Sequence, residues 1–447
     1  LRSFVSVEII DIKKHPNADK LNVCKVFDGK NTFSVVCGAP NVKLGMKSVF
    51  ANIGTFIPGL NLKLKKGKIR GEESFGMLCS EKELTLSESH DGIIELESSS
   101  ELGLSVSDIM DLNDPIIEIE ITPNRGDCLG VRGIARDLAT AGMGNLKNLD
   151  FKVNDGEFDS IINWQVDLDQ DEKDLCPKIF GRSFTNVKNI ESPLWLKNRL
   201  IAVDQRPISS IVDITNYIMI DIGRPLHAYD IDKIKGKTLR ITKSKKGDKF
   251  FALNGNTYEL DDNMLVISDE QGIDDLAGIM GGERTGVTKD TTRMFLEAAI
   301  FDPISIANTG RKLNLHSDAR YRFERGLDYN SPELVMHYAA KMVNKICGGK
   351  FSKVVSFKLE QKNKTIKFDP NIIYQLTGVK IENELSKSIL KKLGFKIVTV
   401  ENIWDITPPT WRPDIYGIAD IVEEIIRING YEKIPPIKLS RSNYIAK

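Results

Sequence analysis

No apolar run in this sequence approaches the roughly 18–20 residues that span a bilayer, and no signal peptide is visible at its start. A transmembrane helix is therefore not expected. Charge of one sign is missing too: 62 Lys and Arg balance 62 Asp and Glu. That excludes a long-range basic field, so any nucleic-acid contact has to come from local patches. The six cysteines (Cys24, Cys37, Cys79, Cys128, Cys176, Cys347) include no CxxC pair, and a four-ligand structural zinc site is not expected. They read as reduced, mostly core thiols of a cytoplasmic protein. The Gly-Lys-Thr at 236–238 has Ile231 where a P-loop needs its first glycine, which removes nucleotide binding by that route.

What is present is a globular composition, 41% hydrophobic and 28% charged over 447 residues. That length exceeds one core, and about three domains are expected. Leu1 rather than methionine opens the chain, so residues upstream are expected.

Residues 1–100 read as short strands. "VSVEIIDIKK", "KLNVCKV", "NTFSVVCG", "KSVFANIG" and "GIIELE" are β-branched runs between Gly, Asn, Pro and Asp turns. Such spacing predicts a small closed barrel, because closure removes exposed edges. Within it, "LKLKKGKIRG" (62–71) alternates at first, which would give one apolar and one basic face. Lys63, Lys65, Lys66, Lys68 and Arg70 form a cationic stripe, either a solvated edge that blocks strand aggregation or a phosphate-binding surface.

Further along, "GDCLGVRGIARDLATAGMG" (126–144) has helical periodicity, and an acidic passage around 153–175 marks a boundary. Residues from about 176 to 355 mix helices ("SPLWLKNRLIAV", "SSIVDITNYIMIDIG") with a hairpin around Asn254-Gly255. "SPELVMHYAAKMVNKICGG" reads as a helix with Ser331 as N-cap, Pro332 in the first turn and Gly348 past its end. A smaller α+β unit follows at about 364–436. One of its helices has Leu385, Ile389 and Leu393 on one face; the other has Ile418, Ile421, Val422 and Ile425. The expected architecture is multidomain α+β. It divides as a barrel (1–110), a linking helical segment (111–152), a large α+β domain (153–360) and a small α+β domain (361–438).

Two polar features stand out. His316, Ser317 and Asp318 are adjacent, and three sequence neighbours cannot converge as a catalytic triad does. A polar turn is the plainer reading. In the last helix Asp420, Glu423 and Glu424 lie at i, i+3 and i+4, with Asp414 at the helix entrance. Like charges so spaced repel by a few tenths of a kcal/mol each, so a cation or a basic partner would relieve them. The plainer readings are a solvated acidic face beside Arg427, with Asp414 as a helix cap.

Several long motifs occur in order: "HPNADKLNVCKV", "VCGAPNV", "GMLCSEKELTL", "EIEITPNRGDCLGVRGIARDLAT", "VDITNYIMIDIGRPLHAYD", "HSDARYRFERGLD" and "WRPDIYGIADIVEEIIRINGY". The first three resemble the OB-like tRNA-binding barrel found on several synthetases. Together they resemble the β subunit of bacterial phenylalanyl-tRNA synthetase, a class II enzyme, over essentially the whole chain. In that family a synthetase-like domain and an anticodon-binding domain come next, and neither follows Lys447 here.

The resemblance implies that the chain binds tRNA(Phe) and removes mischarged tyrosine in the large α+β domain, of the type called B3/B4. The small domain would be of B5 type. ATP-dependent aminoacylation would fall to an α subunit in an α2β2 heterotetramer. A second, hydrolytic site has a physical reason, since an apolar pocket rejects an added hydroxyl only weakly. By motif, the catalytic candidates are Arg206, Thr215, His227, Glu297 and Ser317, with Gly278, Gly281 and Ala319 binding substrate. Glu297 lies in an apolar strand and needs a donor; a substrate tyrosine hydroxyl would be one. Ser317 replaces the family's usual threonine, and Arg320 stands where a small residue is frequent. The same resemblance assigns Asp414, Asp420, Glu423 and Glu424 to Mg²⁺ shared with the α subunit, and oxygen ligands suit that ion. The alternative is a tRNA-docking scaffold with a degenerate pocket.

Overall fold

The computed structural model describes residues 1–87, 89–110, 112–113, 115–149, 151, 155–360 and 364–436. The expected boundaries at 110/111, 152/153, 360/361 and 438 fall on or beside residues outside that set. Two compact units separate at Ile117/Glu118.

The first unit is a five-stranded antiparallel sheet. Its strands β1 (Phe4–Lys14), β2 (Asn22–Phe27), β3 (Thr32–Cys37), β4 (Lys47–Asn52) and β5 (Gly76–Leu78) run in the order β3-β2-β1-β4-β5. Alternate residues Val7, Ile9, Cys24, Val26 and Val35 fill its interior. The edges nearly meet: Phe75 N donates to Ser34 O at 2.9 Å and Val36 N to Ser74 Oγ at 3.1 Å. A nearly closed barrel results, as the strand spacing predicts.

One expected strand does not form. In "GIIELE" only Glu95 makes an isolated bridge, to Ser48. Ile94 N and Leu96 N still donate to Cys79 O and Lys47 O at 2.9 Å each, but side chains take the groups between them and at Ile93. Asn41 bonds both the N–H and the carbonyl of Ile93, and the Ser48 hydroxyl donates to Ile94 O. Ile93, Ile94 and Leu96 are still buried; burial survived where the ladder did not.

In the second unit, a central antiparallel sheet aligns β7 (Lys178–Thr185), β8 (His227–Asp230) and β13 (Arg293–Ile300) in the order β8-β13-β7. A second sheet contains β6 (Asn163–Val166), β9 (Thr238–Lys243), β10 (Leu265–Ser268), β11 (Ile273–Leu276) and β12 (Met280–Gly281), in that order, with only β6 and β9 parallel. Strand alternation divides the central sheet's side chains between two cores. Phe180, Phe184, Met294, Leu296 and Ala298 pack with α2 (Leu194–Ile201), α3 (Ser210–Ile222) and α5 (Ser331–Cys347). Ile179, Phe295, Ala299 and Tyr229 share the other core with the second sheet. The hairpin forms around Asn254-Gly255, where Gly255 has φ +79°.

The α5 helix is capped one residue earlier than expected. Asn330 is the N-cap, and Ser331 is the first helical residue, its hydroxyl donating to Asp328 O. The helix predicted within 126–144 is the ten-residue α1 (Val131–Thr140), preceded by a single turn at 126–128. The small C-terminal part folds a three-stranded sheet against α6 (Asn383–Lys392) and α7 (Ile418–Asn429). Ile389, Leu393, Ile421, Val422 and Ile425 are buried as expected, whereas Leu385 and Ile418 are exposed. All six cysteines are free and buried.

Candidate functional site

The β13 segment explains why a carboxylate can live in an apolar strand. Its period of two sends Met294, Leu296 and Ala298 to the helices and Glu297 between the sheets, with Phe295 and Ala299. Gly181, Glu297 and His227 are direct cross-strand neighbours, and Tyr229 lies two residues along β8 on the His227 face. The Tyr229 hydroxyl donates to Glu297 Oε2 at 2.8 Å, with Asp275 Oδ2 at 3.4 Å. His227 stands edge-on to Tyr229, ring centroids 4.4 Å apart, and its Nε2 is 3.6 Å from Asp275 Oδ2.

Burial dominates the electrostatics here. It raises the Glu297 carboxyl to about 7 against the donated Tyr229 hydrogen bond, and raises Asp275 well above the usual carboxylate range, with Glu297's charge adding to it. Desolvation lowers His227 to about 4, so its imidazole is neutral at physiological pH. Asp274, next to Asp275, is raised to about 7 by burial and by Asp269, against the pull of Arg284. Arg284 bridges Asp269 and Asp274 at 2.7 and 2.5 Å. The result is a buried group of two acids, one phenol and one neutral imidazole.

Of the predicted residues, Gly281 belongs to this group, because a Cβ there would come within 2.2 Å of the His227 ring. The space reserved by glycine is taken by histidine. Gly278 (φ +69°) instead faces Phe301, Ile306 and Phe323. Ser317 caps α4 (Asp318–Phe323): its Oγ accepts from Arg320 N at 3.0 Å and donates to Ile279 O at 2.7 Å. His316 points to solvent and Asp318 bonds Arg322 and Gln205, so the three are no triad. With Arg320, Tyr321 and Glu324 they line an open depression of about 470 Å³. Ala319 packs against the core between the sheets. Arg206 is exposed on the loop after α2, next to Gln205. The Thr215 hydroxyl is turned back onto its own helix, donating to Val212 O at 2.7 Å. Among the described residues, no hydrogen bond or ion pair joins Arg206, Thr215 or Ser317 to Glu297.

Sequence reasoning missed Tyr229 and Asp275. The signals existed: "HAYD" places Tyr229 on His227's face, and "GIDDLAG" sets two acids in an otherwise apolar strand.

The four acidic residues of the last segment do not form a ligand set. Glu424 is buried between Arg412 and Arg427, at 2.5 and 2.6 Å. Burial works against its charge, but hydrogen bonds from both guanidiniums prevail and hold it down to about 2. Asp414 is paired with Arg412 at 2.8 Å. Asp420, rather than Asp414, caps α7, accepting from Tyr416 N and Gly417 N at 2.8 Å each. Glu423 alone is exposed and unengaged among the described residues. The relief that the acidic spacing calls for comes from arginines of the same chain. Asp127, Cys128 and Asp137 do converge, yet Arg125 Nη2 already donates to all three at 2.9–3.0 Å. That cluster has its cation.

In the first unit the five basic residues are exposed; of the apolar residues that alternate with them, Leu64 is partly buried against a core cluster, while Leu62 and Ile69 are exposed. The segment is split between two short hairpins, each too narrow to carry a core. Lys66 is paired with Glu73 at 2.9 Å and sits over the Phe75 ring.

Residues 4–105 match the putative tRNA binding domain family, 175–348 the B3/4 domain and 366–431 the tRNA synthetase B5 domain. A phenylalanine–tRNA ligase β subunit from Paramagnetospirillum magneticum is 48% identical over 442 residues, 99% of this chain. The chain is homologous to phenylalanine–tRNA ligase β subunits. The corresponding protein of Bartonella quintana is 46% identical over 98% of the chain. The chain spans 55% of the length of each of these two ligase subunits. Among solved structures, an N-terminal fragment of the phenylalanyl-tRNA synthetase β subunit from Pyrococcus horikoshii aligns over 74% of this chain and 96% of its own. Its sequence identity is 18% and its TM-score 0.38. No helix among the described residues is long and apolar enough to cross a membrane.

Proposed function

We propose that this chain is part of the β subunit of a cytoplasmic phenylalanine–tRNA ligase, a class II synthetase. In this reading it docks tRNA(Phe) on the OB-like barrel and hydrolyses Tyr-tRNA(Phe) in the large α+β domain. An α subunit, in an α2β2 assembly, carries out the ATP-dependent aminoacylation. The domain division of 1–110, 111–152, 153–360 and 361–438 belongs to the same reading.

One observation carries the editing assignment. Glu297 is a buried carboxylate with Oε2 engaged by Tyr229 and no hydrogen bond from the described residues to Oε1. A carboxylate oxygen without a donor in an apolar setting favours a ligand hydroxyl over a ligand hydrogen. The neutral imidazole of His227 beside it suits the placement of a water or of a leaving ribose hydroxyl. Ser317 would line the pocket rather than attack, because its hydroxyl is used twice. The test compares deacylation of Tyr-tRNA(Phe) and Phe-tRNA(Phe). Glu297→Ala is expected to slow only the tyrosyl substrate, by roughly 10- to 150-fold, the equivalent of one charge-assisted hydrogen bond. His227→Ala is expected to slow both. Equal loss in a folded Glu297→Ala protein removes Glu297 as the selective group.

Mg²⁺ does not fit Asp414, Asp420, Glu423 and Glu424 as they stand, since three of the four carboxylates are consumed by arginines or by the helix cap. No step is assigned to the ion. The second reading, a docking scaffold with a degenerate pocket, is favoured by the Thr215 and Ser317 hydroxyls being tied to backbone carbonyls. A wild-type protein that deacylates neither substrate would establish it.

A further inference from the structure

The group around Glu297 contains more hydrogen-bonding capacity than a single acceptor needs. A phenol carries one hydrogen and can both donate and accept. Tyr229 has two carboxylates within reach, Glu297 at 2.8 Å and Asp275 at 3.4 Å. If both acids were ionised, one hydrogen would have to serve two buried charges. If both were protonated, Glu297 could no longer act as a charged acceptor. A single proton shared by the two acids gives the Tyr229 oxygen one donor and one acceptor.

We propose that Asp275, Tyr229 and Glu297 form a relay that sets the hydrogen-bonding sense of this pocket. Protonated Asp275 donates to the Tyr229 oxygen, and Tyr229 donates to Glu297 Oε2. Glu297 stays ionised, with Oε1 left as the acceptor for a phenol hydroxyl. Tyr229 and Asp275 are thereby positioning residues for tyrosine specificity. This inference rests on the editing reading and deepens it.

The surroundings favour that arrangement. On β8, His227 is neutral and packed edge-on against Tyr229, offering no positive charge. On β7, Gly181 faces Glu297 and brings no polar side chain. The Cys176 thiol, also influenced by Glu297, is pushed far up by burial and stays protonated. On β11, Asp274 is turned to Arg284 and Asp269. Among the described residues, Asp275 and Glu297 are thus the acids that face the Tyr229 hydroxyl, with the neutral His227 Nε2 3.6 Å from Asp275 Oδ2. The Tyr229 oxygen lies closer to Glu297, at 2.8 Å, than to Asp275, at 3.4 Å, which marks Glu297 as the acceptor of its hydrogen and leaves the shared proton to Asp275.

The experiment uses the full-length subunit with its α partner and two nearly isosteric variants, Tyr229→Phe and Asp275→Asn. Infrared difference spectra of carboxyl groups are recorded from about pH 5 to 9, alongside deacylation of Tyr-tRNA(Phe) and Phe-tRNA(Phe). Wild type is expected to titrate in two macroscopic steps that belong to the acid pair. Tyr229→Phe removes the donor to Glu297 and is expected to move the first step upward. Its preference for the tyrosyl substrate should fall about tenfold near neutrality and recover as pH rises through the displaced step. Asp275→Asn still offers an N–H to the Tyr229 oxygen, so it should keep the preference while losing one titration step. A purely structural role for these side chains would move neither the steps nor the pH profile. The proposal is overturned if Tyr229→Phe discriminates and titrates like wild type, or if Asp275→Asn retains both steps. If no protein deacylates either substrate, the editing reading falls and takes the specificity role with it. The infrared titration still decides whether the relay exists.

Discussion

At the scale of single residues, the central fact is a carboxylate whose ordinary range is displaced upward by burial. Glu297 moves from 4.5 to about 7, so its contribution to stability is fully present below pH 4.5 and is lost as pH rises through about 7. Glu297→Gln should therefore flatten that alkaline decline, read as urea midpoints across pH. A steeper decline in the variant would contradict the assignment. His227 has the opposite sign. Its depressed value, about 4 against 6.5, means stability present above pH 6.5 and lost as pH falls toward 4. Deacylation should accordingly show no histidine step near 6.5, and a clear one would mean that water reaches the His227 ring.

At the scale of elements, α7 shows how a sequence pattern acquires meaning from its neighbours. Its acidic spacing could have served a metal, but Arg412 and Arg427 close on Glu424 first. Glu424→Ala would remove the acceptor that two guanidiniums share, leaving Arg412 with Asp414 and Arg427 with Asp137, at a cost of about 1.5–3 kcal/mol, measurable by urea unfolding. Asp420→Ala loses the cap on Tyr416 N and Gly417 N and should cost only about 1 kcal/mol. Millimolar Mg²⁺ is expected to leave the melting temperature of this chain essentially unchanged. A large stabilisation would show that the carboxylates rearrange into an ion site on their own.

For the molecule as a whole, the proposed function requires a neutral chain to meet a polyanion through a local basic segment. Replacing Lys65, Lys66 and Lys68 with Ala should reduce the salt dependence of tRNA binding by roughly one unit of log–log slope per lost contact. Lys66 is expected to contribute least, because Glu73 already neutralises it. An unchanged slope in the triple variant would remove this segment from the tRNA surface.

Much of this protein was decided by local pattern. Alternation in residues 1–52 specified the barrel strands, because a pleated chain can bury only every second side chain. The turn at Asn254-Gly255 and the stops at Gly348 and Gly430 follow from backbone conformations that side chains disfavour. The motifs also carried the relationship to the ligase β subunits. Local pattern failed where a group's partner lies far along the chain. It could require a donor for Glu297, yet could not name Tyr229, 68 residues away. It could register repulsion in α7, yet could not place Arg412 against Glu424. It read "GIIELE" as a strand, although Asn41 and Ser48 had claimed the backbone groups of Ile93 and the Ile94 carbonyl. Burial, and with it the protonation state of each carboxyl, is a property of packed sheets and helices, and only the tertiary structure could decide it.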